Sequence, residues 1–150
     1  FDVVVTTNSG YPLDLNLYQA VKGMAAGARI LKPGGTLIIA AECREGAPPG
    51  SPHDQLLRSC ASPEDVLGKL AQPGFSRPEQ WCPQIQALVQ RNARVLVYSS
   101  LPDEIIRAAH LIPGPDIAGI VVLDFAALTV DVPDARSSAA LLRCAFDLEA

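Results

Sequence analysis

The apolar positions of the chain follow two rhythms, and their alternation lays out the fold. Residues 3–6 (Val-Val-Val-Thr) form a short β-branched run, the pattern of a strand buried on both faces. Asn8-Ser9-Gly10-Tyr11-Pro12 then breaks the chain with turn-forming residues. Over residues 13–29, Leu13, Leu17, Ala20, Val21, Met24 and Ala28 recur at helical spacing. Lys32-Pro33-Gly34-Gly35 ends that helix, and residues 36–41 (Thr-Leu-Ile-Ile-Ala-Ala) read as a second buried strand. About forty residues for strand, helix and strand suit a parallel crossover unit.

A Gly- and Pro-rich loop over residues 42–52 follows, and helical pieces resume around residues 54–60. Ser62-Pro63-Glu64-Asp65 supplies a cap, a proline in the first turn and acids at a helix start. Ser76, Pro78 and Glu79 repeat the device ahead of a helix running to residue 91, with Trp81, Ile85, Leu88 and Val89 as its apolar stripe. Residues 95–99 predict a third strand, 102–110 a helix, 120–123 a fourth strand and 135–148 a closing helix carrying Leu141, Leu142, Ala145 and Leu148. The expected fold is a single α/β domain over residues 1–150: a three-layer sandwich, Rossmann-like, with a mainly parallel sheet and helices on both faces.

Composition narrows the class. The chain has 150 residues, 49% hydrophobic and 19% charged, which suits one globular core. No apolar run approaches the roughly 20 residues that span a bilayer. Twelve basic against sixteen acidic residues, a net charge of −4, argue against a nucleic-acid or anionic-membrane partner. The four cysteines, Cys43, Cys60, Cys82 and Cys144, contain no C-x-x-C pair, and His53 and His110 fit no zinc spacing. Free thiols in a reducing, cytoplasmic setting are expected, with no metal bound by this chain. The chain opens inside a strand with no Met and no leader, so it reads as a piece cut from a longer protein.

In open α/β sheets the ligand crevice lies beyond the carboxyl ends of the strands. That selects residues 7–12 and 42–50, with Asn8, Ser9 and Glu42 as candidate cleft residues. A helix start behind the first loop offers N–H groups and a positive dipole end. No G-x-G-x-x-G fingerprint is present, so a dinucleotide site has little support. On a helix with Leu17 at the centre of its buried stripe, Gln19 and Lys22 project to the far side as neighbours, with Tyr18 on the flank. An ammonium, an amide and a phenol there suit a carboxylate ligand, or else form an ordinary solvated face. Trp81 reads as core, His53 as exposed, His110 as packing a helix end, and Cys43 as a small buried residue.

The block Thr7-Asn8-Ser9-Gly10-Tyr11-Pro12-Leu13-Asp14-Leu15-Asn16-Leu17-Tyr18-Gln19-Ala20-Val21-Lys22-Gly23-Met24 resembles the opening of the C-terminal domain in the nickel-dependent lactate racemase family. The likeness continues through Gly34-Gly35 into Ala41-Glu42-Cys43. It then thins, with weaker family positions at Trp81, at Gln84 to Leu88 and at Ala108-Ala109-His110. The resemblance implies a domain that closes over 2-hydroxy acids, with Gln19 and Lys22 facing the substrate and Tyr18 lining the pocket. It also implies an N-terminal domain of the same polypeptide holding a nickel-pincer pyridinium mononucleotide, with that domain supplying the acid and base for proton-coupled hydride transfer. None of that domain's motifs occurs in this chain. The cofactor is therefore not expected here, and the isolated domain is expected to be inactive. Residues 117–125 depart from the family pattern, being almost wholly apolar where a charged helix is expected. Two other readings stay open: a non-catalytic module that binds or senses small carboxylates, and a purely structural interaction domain.

Overall fold

A computed structural model describes residues 1–48 and 50–114. Four parallel strands, β1 (Val3–Thr7), β2 (Thr36–Ala40), β3 (Arg94–Tyr98) and β4 (Ile112–Pro113), lie side by side in chain order. Helix α1 (Leu17–Gly27) joins β1 to β2. Between β2 and β3 come α2 (Pro52–Arg58), α3 (Pro63–Leu70) and α4 (Trp81–Asn92), and α5 (Asp103–Ala108) leads into β4. The register Val5↔Ile38↔Leu96 sorts the side chains onto two faces. Val4, Leu37, Ile39, Val95 and Val97 face the helices, and the buried side chains of all five helices join their cluster. Val3, Val5, Ile38 and Leu96 pack together on the opposite face. Each fully buried Leu, Ile or Met in such a core contributes about 1.5–3 kcal/mol.

The parallel α/β fold is the one the sequence predicts, but among the described residues all five helices pack on one face of the sheet, where helices on both faces are expected. The predicted fourth strand over residues 120–123 and the helix over 135–148 lie outside the described residues, whereas β4 at Ile112–Pro113 falls where the pattern predicts no strand. Helix α1 starts four residues later than its apolar spacing suggests. Leu13 N–H and Asp14 N–H both donate to Gly10 O in a tight turn, and Asn16, in extended conformation, caps the helix by accepting from Gln19 N–H at 3.1 Å. Ser51 and Ser62 cap α2 and α3 from their side chains, each followed by proline. Ser76 does not cap α4. Glu79 takes a left-handed φ of 58°, which breaks the helical path, and α4 begins only at Trp81, with no side-chain bond from Gln80 at its cap.

The predicted stripe holds in part: Val89 is buried and Ile85 packs against the core, but Cys82 and Gln86 take inner positions, while Trp81, 44% exposed, and Leu88 face outward. Among the described residues no helix is long and apolar enough to cross a membrane.

Helix α1 sits unusually close to the sheet. A Cβ on Gly23 would lie 2.5 Å from Thr7 O, and one on Gly27 would lie 2.7 Å from Leu37 Cδ1. Glycine is required at Gly23 because the neighbour is backbone and cannot rotate away.

Candidate functional site

The two predicted loops do meet. Asp14, 5% exposed, accepts from Glu42 N–H at 2.9 Å through Oδ2. Its backbone O accepts from Cys43 N–H at 3.0 Å, and Leu17 N–H donates to Gly46 O at 3.1 Å. The second Asp14 oxygen has no partner among the described residues. Beyond the ends of β1, β2 and β3 these loops leave a crevice of about 560 Å³, lined by Thr7, Asp14, Glu42, Tyr98 and Ser99 among others.

The candidate cleft residues turn out to hold the loops together. The Asn8 side-chain amide donates to Leu13 O. Ser9, at a left-handed φ of 65°, donates its N–H to Thr7 Oγ1 at 3.1 Å. Glu42 pairs with Arg44 at 3.1 Å, and its carbonyl accepts from the Ser99 and Ser100 hydroxyls. Two of the N–H groups at the start of α1 are likewise taken, by Gly46 O and by Asn16. Tyr18, Gln19 and Lys22 do not line this crevice.

Those three form a second locus, on α1 where it packs against α4. Lys22 Nζ donates to Gln19 Oε1 at 2.6 Å. One turn of helix separates the two residues, so the contact follows from the backbone. It has a directional consequence: with its oxygen committed to Lys22, Gln19 presents its NH₂ outward. Lys22 is exposed and pairs with no carboxylate among the described residues, unlike Lys32, Arg44, Arg58 and Arg107.

Tyr18, half-buried, makes edge contacts at 5.7 Å with Trp81 on one flank and with His53 on another. Burial, together with Glu79 and Cys82, pushes the Tyr18 phenol above its ordinary value. The Cys82 thiol, which lies 3.5 Å from Tyr18 O, is pushed up to about 12, chiefly by burial, and Lys22 acts against that rise. Cys43 is buried as expected, its thiol pushed up to about 11 mainly by burial. At neutral pH both thiols are protonated and chemically quiet.

Sequence reasoning missed two members of this neighbourhood. Trp81, read as core, stands half-exposed beside Tyr18. His53, read as exposed, is 1% exposed, and its Nε2 lies 3.1 Å from Gln86 Oε1. The one available signal for His53 is the Ser51-Pro52 helix start, which puts His53 in the first turn of α2.

Burial lowers the His53 pKa below 6.5, against smaller opposing effects from Gln86 and Asp54, so the folded protein prefers a neutral ring. The unfolded chain therefore takes up this proton first as pH falls. The ring's contribution to stability is complete above about pH 6.5 and is lost as pH drops through the folded value. The urea midpoint is expected to fall between pH 7 and pH 5, and to fall less steeply in His53→Leu. Equal slopes would refute a buried neutral His53.

Together these features make the chain a parallel α/β domain carrying an exposed lysine beside an aromatic pair on α1 and α4. Residues 1–128 match the lactate racemase C-terminal domain, and the chain belongs to that family. It is 38% identical over 119 residues to a lactate racemase of Thermoanaerobacterium thermosaccharolyticum, covering 77% of this chain and 28% of that protein. It is also 38% identical over 114 residues to a lactate racemase of Lactiplantibacillus plantarum, covering 73% and 26%. The solved lactate racemase apoprotein from T. thermosaccharolyticum superposes with a TM-score of 0.79 at 34% identity, covering 89% of this chain and 34% of that one. The chain thus spans between a quarter and a third of the length of these relatives.

Proposed function

We propose that the chain is the substrate-clamping C-terminal domain of a 2-hydroxy-acid racemase or epimerase, acting with an N-terminal domain of the same polypeptide across an interdomain cleft. The observation that carries this reading is the exposed Lys22 ammonium, held at 2.6 Å by Gln19 and lacking a carboxylate partner among the described residues. A 2-hydroxy acid is an anion, and its carboxylate is the handle both enantiomers share. A cation gripping that handle retains the substrate whichever face of the carbinol carbon reacts. Lys22 supplies charge, the outward Gln19 NH₂ supplies a directional donor, and the Tyr18 and Trp81 rings form an apolar wall that limits water.

Among the described residues no group of three or more His, Cys, Asp and Glu side chains is placed to hold a metal ion. In this proposal the hydride chemistry belongs to a nickel-pincer pyridinium mononucleotide on the N-terminal domain, and this chain acts on the substrate. The free thiols Cys43, Cys60 and Cys82 suit a reducing cytoplasm. The test is chiral chromatography of D- and L-2-hydroxy acids incubated with the full-length polypeptide, co-expressed with the enzymes that make its cofactor. Interconversion is expected. Carboxylate binding without turnover, with cofactor shown to be loaded, would favour the binding or sensing module instead.

A further inference from the structure

His53 and its neighbour Gln86 are buried polar side chains, at a place where aliphatic side chains would fill the space without desolvating an imidazole and an amide. The His53 Nε2 faces a network of side-chain amides. Gln86, fully buried, donates its amide to Ala109 O at 2.8 Å and to Gln90 Oε1 at 3.4 Å. Gln90 in turn donates to Ala109 O at 3.2 Å and to His110 O at 2.7 Å. With both Gln86 hydrogens committed, its Oε1 faces His53 as an acceptor, which puts the imidazole proton on Nε2 and fixes the ring plane. The ring so fixed meets Tyr18 edge-on, at an interplanar angle of 88°. Among the described residues the Tyr18 hydroxyl has no hydrogen-bond partner, so the direction of the phenol rests on its ring contacts. Trp81, the other contact, is itself half-exposed and cannot define that direction alone.

We infer that His53 is a positioning residue: a buried imidazole, locked by Gln86, that aims Tyr18 at the substrate. The lock runs from Ala109 and His110, just after α5, through Gln86 and Gln90 on α4 to His53 on α2 and so to Tyr18 on α1. This inference rests on the reading of Tyr18 as a wall of the substrate site. It explains why a buried polar network is present under that wall, since an apolar core would supply packing but no fixed ring orientation.

A double-mutant cycle on kcat/KM in the full-length, cofactor-loaded enzyme tests it. His53→Leu is expected to lower kcat/KM about tenfold in the wild-type background and by less than twofold in Tyr18→Ala, because its effect passes through Tyr18. Gln86→Met, which cuts the lock without touching Tyr18, is expected to show the same dependence with a smaller factor, and it decides the matter if His53→Leu does not fold. Equal factors in both backgrounds would show a merely structural histidine and overturn the inference while leaving the site reading intact. Full activity in Tyr18→Ala would overturn the reading of Tyr18 and this inference with it.

Discussion

Lys22→Ala in the full-length polypeptide is expected to lower kcat/KM for 2-hydroxy-acid interconversion by about 10- to 100-fold. A charge-assisted hydrogen bond to an anion is worth about 1.5–3 kcal/mol, and each 1.4 kcal/mol is about a factor of ten. Stability should change by less than about 0.5 kcal/mol, because the side chain is exposed and buries no partner. Gln19→Ala should cost less, since it releases the tether at 2.6 Å but keeps the charge. Lys22→Arg should recover only part of the loss. A planar guanidinium keeps the charge but cannot hold the compact single contact that now turns the Gln19 amide outward. Steady-state kinetics on the three variants, with melting curves alongside, check the pattern. A Lys22→Ala enzyme with wild-type kcat/KM would remove the residue from the site.

The largest stability effect is expected at Gly23. Alanine there places Cβ 2.5 Å from Thr7 O, so α1 must lift away from β1 or the end of the strand must shift. Overpacking against backbone costs about 1–3 kcal/mol, which outweighs the gain of about 1 kcal/mol from replacing a helical glycine. The urea midpoint should fall with the m-value unchanged. Turnover should fall as well, because Lys22 is the preceding residue and moves with the helix. Gly68 provides the opposite case within the same fold. It sits exposed in α3, where an added Cβ would meet no other atom within 4 Å, so Gly68→Ala should stabilise by about 0.5–1 kcal/mol. If both substitutions raised the midpoint, the close approach of α1 to the sheet would be wrong.

Strands β1 to β3 and the Gln19–Lys22 pair are legible in the sequence for a common reason: both are local. β-Branched runs of four or five residues between turn formers mark strands directly. A three-residue spacing on a helix places two side chains together whatever the rest of the fold does. The Asn8–Ser9 segment also reads as a turn, though not which carbonyls its groups satisfy. What escapes is non-local. His53 sits in a proline-rich stretch that looks exposed, and its acceptor, Gln86, lies 33 residues away. Asp14 falls within the helix predicted over residues 13–29, yet it lies ahead of α1 and accepts from Glu42 N–H, 28 positions on.

Trp81 escapes for a subtler reason. Its helical spacing is correct, but the helix begins after a left-handed Glu79 rather than at Ser76, and the inner face takes small Cys82 against Tyr18 on α1 and polar Gln86 against His53 on α2. Neighbouring residues on a helix point about 100° apart, enough to set Trp81 at the surface beside a buried Cys82. Periodicity gives the width of a stripe; the partner decides which way it points. Here the misreading and the site coincide, since the outward Trp81 is what gives Tyr18 its second aromatic neighbour.

The most direct test of the clamp compares a carboxylate with its neutral counterpart. In the full-length enzyme, kcat/KM for lactate is measured against that for lactamide, in wild type and in Lys22→Ala. If Lys22 grips the substrate carboxylate, the preference for the acid over the amide falls at least about tenfold in the variant, because the amide never used the charge. A preference that survives the substitution unchanged would mean that another group holds the carboxylate, and the clamp assigned to this domain would be wrong.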